Sequence, residues 1–364
     1  MIKNYFNLIN NTYVLRKYPI SLVHFLTNRC NARCSFCFID FDNPETFKNE
    51  LTLDEIEKLS KTLGKSIQNI NLTGGEPFAR KDIKEITEIY FKNTDIQSVL
   101  ITSNGSLPDR IEEYLKHLTI KFPEKKIILS LSIDNIGEKH DNIRKIEGLF
   151  DSCIQSYRVA DSFGKNVFAN VSITVSLENC NSIETIYEKL VNEYKIKSFT
   201  SVIVRDEGVY KTPQKEKEKI LNAYKKLVTK IQEDEKNGTL KLYNPETLQG
   251  RLMNEKNKIM YKNIISTYLE PKFISYCYAG SLFGVIKPDG TVYPCEILDK
   301  PMGSLREYDM NFMKLWSDYK AKEFKKWVKK SKCNCTYECA WSFNILSNTK
   351  YQKNLIKAAL GRSK

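Results

Sequence analysis

The chain is 364 residues long and 41% apolar, with 57 Lys and Arg against 44 Asp and Glu and a net charge of +13. That length suits two or three domains with a substantial core, and no stretch of about 18 apolar residues exists that would span a bilayer. The positive charge does not by itself point to nucleic acid, because the lysines are dispersed and no recognition motif accompanies them.

Residues 1–19, MIKNYFNLINNTYVLRKYP, form an N-terminal extension without the apolar run and small-residue cleavage site of a signal peptide. A cytoplasmic location is therefore expected, where thiols stay reduced. Ten cysteines then argue for metal or redox chemistry over disulfides. From 20 to 205, β-rich runs recur at ISLVHFLT (20–27), IQNINLT (67–73), QSVLITS (97–103), KIILSLSI (126–133), VFANVSITV (167–175) and SFTSVIV (198–204). Helical patterns separate most of them. Thr52 and Glu55 fit a capping box ahead of an Ile56, Leu59, Leu63 stripe that Gly64 ends. Ile83, Ile86 and Tyr90 share a face, and Arg110–Leu118 and Ile183–Tyr194 read the same way. Strands alternating with helices predict a parallel α/β sheet, open or curled into a partial barrel.

Residues 206–270 are charged and helix-prone, with a turn near Asn237 and Gly238, and read as a two-helix linker. Residues 271–345 form a small cysteine-bearing α+β domain: a hairpin around PDG (288–290), a helix through WSDYKAKEFKKWVKK, then a cysteine cluster. Residues 346–364 are expected to be a loose basic tail.

Ligand sites in such folds form at the carboxyl ends of the parallel strands. The distinctive residues gather there: Cys30, Cys34 and Cys37 after the first strand, TGGEPF (73–78) after the second, SNG (103–105) after the third. Ser132 and Asp134 end the fourth, Val175 through Asn179 the fifth, and Arg205 the sixth. Three thiolates leave one iron of a cubane cluster without a protein ligand, free to bind a small molecule. The competing reading is a zinc knot with a borrowed fourth ligand, or buried reduced thiols. In GGEP, glycines let the backbone approach a ligand and Glu76 is a candidate for an ammonium; the plain alternative is a tight turn before a helix. Arg144 suits a carboxylate, or a surface salt bridge. Cys153 and Cys180 read as core residues, and His24, His117 and His140 as scattered packing residues without a triad or metal site.

Cys30-x3-Cys34-x2-Cys37 with Phe36 and Phe38, followed by Gly74-Gly75-Glu76-Pro77, resembles the radical S-adenosylmethionine (SAM) superfamily over residues 20–205. The resemblance implies a partial (βα)6 TIM-like barrel and a 4Fe–4S cluster on Cys30, Cys34 and Cys37, with SAM on its unique iron. It places Phe36, Phe38, Gly74, Gly75, Glu76, Ser103, Asn104, Ser132, Arg144 and Val175 around SAM. The implied chemistry is reductive cleavage of SAM to methionine and a 5′-deoxyadenosyl radical, which takes hydrogen from a substrate. A reducing electron donor of flavodoxin or ferredoxin type is the implied partner.

Cys277-x12-Gly290-x4-Cys295 and Cys333-x-Cys335-x3-Cys339 form a second group. It resembles the SPASM or twitch extension of radical SAM enzymes, supported by Gly303-Ser304-Leu305 and Trp316. A full SPASM pattern carries further cysteines beyond the position of Cys339. One auxiliary 4Fe–4S cluster is therefore expected, on Cys277, Cys295, Cys339 and either Cys333 or Cys335; a zinc ribbon is the alternative. Two substrates fit: a peptide or protein side chain, or a small sugar-like alcohol that is dehydrogenated or epimerised. The 29 residues before Cys30 leave no room for a fused N-terminal peptide-recognition domain, so a leader peptide is expected to dock elsewhere.

Overall fold

The structure is a computed structural model, and it describes residues 8–240, 243 and 245–361. Six strands follow one another in parallel register: β1 (Ser21–Thr27), β2 (Asn69–Gly74), β3 (Ser98–Ser103), β4 (Lys126–Ser132), β5 (Val167–Val175) and β6 (Phe199–Ile203). Helices α1 (Leu53–Ser60), α2 (Ile83–Asn93), α3 (Pro108–Lys121), α4 (Glu138–Arg144), α5 (Leu149–Phe163) and α6 (Ile183–Asn192) lie between them. The partial (βα)6 barrel is present.

Alternation along the strands separates two chemistries. Leu22, Ile70, Leu72, Val99, Ile101 and Leu129 point toward the helices and join one large apolar core. The opposite face carries Asn71, Thr102, Ser130, Asn170 and Thr200 instead. Asn170 Nδ2 donates to Ser130 Oγ at 3.0 Å and Thr200 Oγ1 at 3.1 Å across it. From β2 to β6 the second face is thus polar and suited to a polar ligand, while at β1 and a later strand it carries the apolar Val23, Phe25 and Val285.

The expected capping box forms. Glu55 N donates to Thr52 Oγ1 at 3.2 Å, and Thr52 N donates to Glu55 Oε2 at 2.9 Å, starting α1. Such a cap is worth about 1 kcal/mol. The two expected helices after β6 are α7 (Lys217–Lys236) and α8 (Leu248–Tyr268).

The hairpin around PDG is β7 (Phe283–Ile286) and β8 (Thr291–Tyr293), followed by β9 (Gly303–Ser304). Strand β7 lies parallel to β1, from Ser21 opposite Phe283 to His24 opposite Ile286. The sheet therefore has nine strands in the order β6-β5-β4-β3-β2-β1-β7-β8-β9. This pairing removes a free edge from β1, and every β1 residue is buried. Helices α9 (Phe312–Trp316), α10 (Tyr319–Lys330), α11 (Glu338–Ser347) and α12 (Thr349–Ala359) complete the chain.

The tail is not loose. Helix α12 buries Tyr351, Leu355, Ala358 and Ala359, packs on α8, and is capped by Asn348, whose Oδ1 accepts from Lys350 N at 3.0 Å. Its lysines had hidden an amphipathic stripe; residues 362–364 lie outside the described part.

Candidate metal and cofactor site

The loop after β1 carries Cys30, Cys34 and Cys37, and none of the ten cysteines is in a disulfide. The loop is held from several sides. Arg33 N donates to Arg144 O at 3.0 Å and Ser35 N to Ile143 O at 3.4 Å, tying its middle to the end of α4. Cys37 N donates to Cys34 O at 3.1 Å, closing a turn. Cys30 Sγ receives Ala32 N at 3.3 Å and faces Asn104 Nδ2 at 3.8 Å. Burial pushes the Cys30 thiol up to about 11 and raises Cys34 and Cys37 as well, with the Arg144 guanidinium opposing burial at the latter two. A bound metal supplies the charge that removes such protons.

Gly74 and Gly75 answer to this loop directly. A Cβ on Gly74, whose φ is +143°, would lie 2.1 Å from Thr27 O, and one on Gly75 would lie 2.3 Å from Arg29 O. Gly75 N donates to Thr27 O at 2.8 Å and Glu76 N to Arg29 O at 2.9 Å. The close approach that the glycines permit is therefore to the backbone entering the cysteine loop, and those two amides are occupied.

Glu76 is bonded within the protein. It is 0% exposed, and its carboxylate accepts from Phe78 N at 3.0 Å, Ser103 Oγ at 2.9 Å and Asn104 N at 2.7 Å. Burial raises its pKa against those three bonds. Glu76 thus joins the ends of β2 and β3. Ser103 is engaged too, since its Oγ also accepts from Gly105 N at 3.0 Å. Asn104 links the groups: its Nδ2 donates to Asn31 Oδ1 at 2.8 Å, and its carbonyl accepts from Cys153 Sγ at 2.7 Å.

Arg144 is buried and pairs with a carboxylate of the protein itself. Its Nε and Nη2 donate to Asp134 Oδ2 at 2.9 and 2.6 Å, which replaces the surface salt bridge considered from sequence. Asp134 is a hub: Oδ1 accepts from Thr174 N at 2.8 Å, its carbonyl from Asn179 Nδ2 at 2.9 Å, and its N donates to His140 Nδ1 at 3.2 Å. His140 and Cys153 therefore brace the site from behind. Ser132 is half-buried at the end of β4. Phe38 meets Phe25 edge-on at 5.9 Å, whereas Phe36 packs against the main core. Val175 is 0% exposed and sits in that core, so its side chain does not reach the polar face.

In the C-terminal region, Cys295 lies in a small cluster with Tyr278, Phe283 and Tyr337, against which Cys277, Cys335 and Cys339 pack. Cys277, Cys333 and Cys295 all lie within electrostatic reach of Cys335, whose thiol is raised mainly by burial. Burial is again the main cause of a Cys339 thiol pushed up to about 11, with Glu296 and Glu338 adding to it. Among the described residues no three His, Cys, Asp or Glu side chains gather closely enough to hold one metal ion. Soft thiolates in both groups suit iron–sulfur clusters, whose thiolates sit on separate irons.

A further polar group escaped the sequence reading. Arg205 Nη2 donates to Glu296 Oε1 at 2.7 Å, and the guanidinium lies 5.0 Å from the Tyr337 ring centroid. Arg205 Nη1 is buried without a partner among the described residues. Lys287 lies 4.3 Å from the Phe25 ring centroid and feels Glu296. Arg205 was visible just past the sixth strand, but Glu296 was not singled out, and 91 positions separate them.

Residues 25–190 match the Radical SAM superfamily, and residues 277–340 match SPASM, an iron–sulfur cluster-binding domain. The chain thus carries a radical SAM domain followed by a SPASM domain. Such a domain implies a 4Fe–4S cluster and SAM, and the SPASM domain an auxiliary iron–sulfur cluster, which displaces the zinc readings. The sporulation killing factor maturation protein SkfB of Bacillus subtilis (strain 168) is 27% identical over 298 residues, covering 80% of this chain and 64% of SkfB. The chain thus spans less than two-thirds of that relative's length. The structure of anSMEcpe with bound AdoMet and Cp18Cys peptide is similar at TM-score 0.62 and 20% identity, covering 95% of this chain and 100% of that one. Streptococcus suis SuiB bound to precursor peptide SuiA is similar at TM-score 0.57 and 14% identity, covering 87% and 68%. At these identities the structural likeness is one of fold.

Proposed function

We propose that this radical SAM protein abstracts hydrogen from a peptide or protein side chain. In this reading Cys30, Cys34 and Cys37 hold the first cluster, and the auxiliary cluster draws its ligands from Cys277, Cys295, Cys333, Cys335 and Cys339. Bound there, the cluster and SAM supply the electron and the 5′-deoxyadenosyl radical. The chain's own residues do the positioning. Glu76 and Asn104 fix the turn facing Cys30, the Arg144–Asp134 pair fixes the loop at Cys34, and the polar strand face receives the polar parts of ligand and substrate. The observation that carries the reading is the β1–β7 pairing. It joins the second cysteine group and the Arg205–Glu296 pair to the same sheet as the first cysteine loop. The similarity to SkfB, named as a maturation protein, favours a peptide over a sugar-like alcohol.

The test is anaerobic incubation of iron-reconstituted protein with reductant, SAM and side-chain-deuterated peptides. The expected result is 5′-deoxyadenosine carrying deuterium, absent from a Cys34→Ala control. Equal 5′-deoxyadenosine from that control would overturn the cluster assignment. Turnover of a sugar-like alcohol without any peptide labelling would overturn the substrate class.

A further inference from the structure

We propose that the outer face of α10 is a docking surface for an acidic one-electron carrier protein of flavodoxin or ferredoxin type. The proposal rests on the radical SAM reading, which requires a reductant, and adds where that partner binds. Residues 319–332 contain seven lysines and one glutamate, a net +6 of the chain's +13. Ala321, Phe324 and Val328 turn inward, leaving Lys322, Lys326, Lys329 and Lys330 exposed. Tyr319 (69% exposed) and Trp327 (38% exposed) stand among them, with Lys300 5.2 Å from the Trp327 ring centroid. The one acid, Glu323, is already paired with Lys326 at 2.9 Å.

This crowding disfavours the helix itself. Lys322–Lys326, Lys325–Lys329 and Lys326–Lys330 are like-charge pairs four residues apart, each destabilising by about 0.2–0.5 kcal/mol. A concentrated field of this kind steers an oppositely charged partner and raises its association rate. Exposed aromatic side chains beside it supply the contact area that interfaces favour.

Position selects the partner. The inner face of α10 rests on the loops that carry the second cysteine group: a Cβ on Gly280 would lie 3.4 Å from Phe324 and 3.3 Å from Pro294. Gly280 is three residues past Cys277, Pro294 precedes Cys295, and Cys333 follows the end of α10 by three residues. A carrier on the outer face therefore sits one helix thickness from the auxiliary cysteines. A membrane fits less well, because the apolar face that would insert is already packed in the protein. A nucleic acid fits less well because the face has no arginine for base recognition.

The test uses reconstituted full-length protein and a low-potential flavodoxin. Surface-based binding at low and high salt is compared for wild type and the triple variant Lys322→Glu, Lys326→Glu, Lys330→Glu. Expected are at least tenfold weaker binding by the variant and a flatter salt dependence. With flavodoxin as reductant, its KM for 5′-deoxyadenosine formation rises by a similar factor, while the dithionite-driven rate stays unchanged. Unaltered flavodoxin binding would overturn the proposal while leaving the radical SAM reading intact, since dithionite reports on that separately. Equal losses with both reductants, in this variant and in its Lys→Gln counterpart, would also overturn it. So would tighter binding of a single-stranded oligonucleotide or of anionic phosphatidylserine vesicles than of flavodoxin.

Discussion

The two cysteine groups are built differently. Around Cys30, Cys34 and Cys37 the protein fixes nearly every neighbour by a directed bond: Arg33 and Ser35 to α4, Gly75 and Glu76 to the loop entrance, Asn104 toward Cys30. Around Cys277, Cys295, Cys333, Cys335 and Cys339 the neighbours are mainly a small apolar cluster. Directed bonds run around that cluster, among them Tyr278 N to Asn344 Oδ1 and Trp341 Nε1 to Cys335 O, each at 2.9 Å. The first site is preorganised by the scaffold. The second leaves more of its geometry to whatever it binds, as metal-coupled folding does.

The sharpest way to break this comparison is to remove Arg144. Arg144→Ala strands the Asp134 carboxylate, which is 0% exposed, and removing one partner of a buried pair costs about 3–5 kcal/mol. Urea unfolding should show that loss, and 5′-deoxyadenosine formation should fall with it. A cost under about 1 kcal/mol, the range of exposed ion pairs, would mean that the first loop is not held by this network. A smaller effect is expected from iron chelation. Hydrogen exchange should rise in 277–298 and 333–340, while β2, β3 and α4 stay protected, because only the second group depends on its metal for order. Equal deprotection of both regions would erase the distinction.

The βα alternation was legible because the strands are short β-rich runs and the helices between them carry apolar stripes, so the six-stranded sheet followed from local signals. The cysteine loop and GGEP were legible because spacing is a local property. What the glycines touch was not. Their partners, Thr27 and Arg29, lie more than 40 positions upstream, and nothing in GGEP says whether backbone or ligand fills the missing Cβ space. The partners of Glu76 were hidden for the same reason: a carboxylate in a turn looks free until Ser103 and Asn104 are brought to it. The addition of β7 to β1 was hidden because a short apolar run looks the same at a domain edge as in a separate module. The α12 stripe was hidden by its lysines, which cover the solvent side of a helix as readily as they mark a tail.

The finest discrimination comes from the join between the two regions. Arg306, after β9, donates from Nε and Nη2 to Glu55 Oε1 and Oε2 at 2.7 and 3.0 Å, and from Nη1 to Asn49 O at 3.0 Å and Asp289 O at 3.2 Å. One side chain thus ties the α1 cap to the PDG turn. Hydrogen bonding from Arg306 is the main cause holding Glu55 at about 2, below its ordinary 4.5. A depressed carboxylate stabilises the fold fully above its unfolded pKa and loses that contribution as pH falls from about 4.5 through about 2. Arg306→Ala should therefore cost about 1 kcal/mol at pH 7, as a bidentate but partly exposed pair does. Its stability gap to wild type should close progressively on acidification through that window. A gap that stays constant with pH would show that Arg306 acts through its backbone contacts at Asn49 and Asp289 instead. The union of the two regions would then depend on backbone shape and be independent of charge.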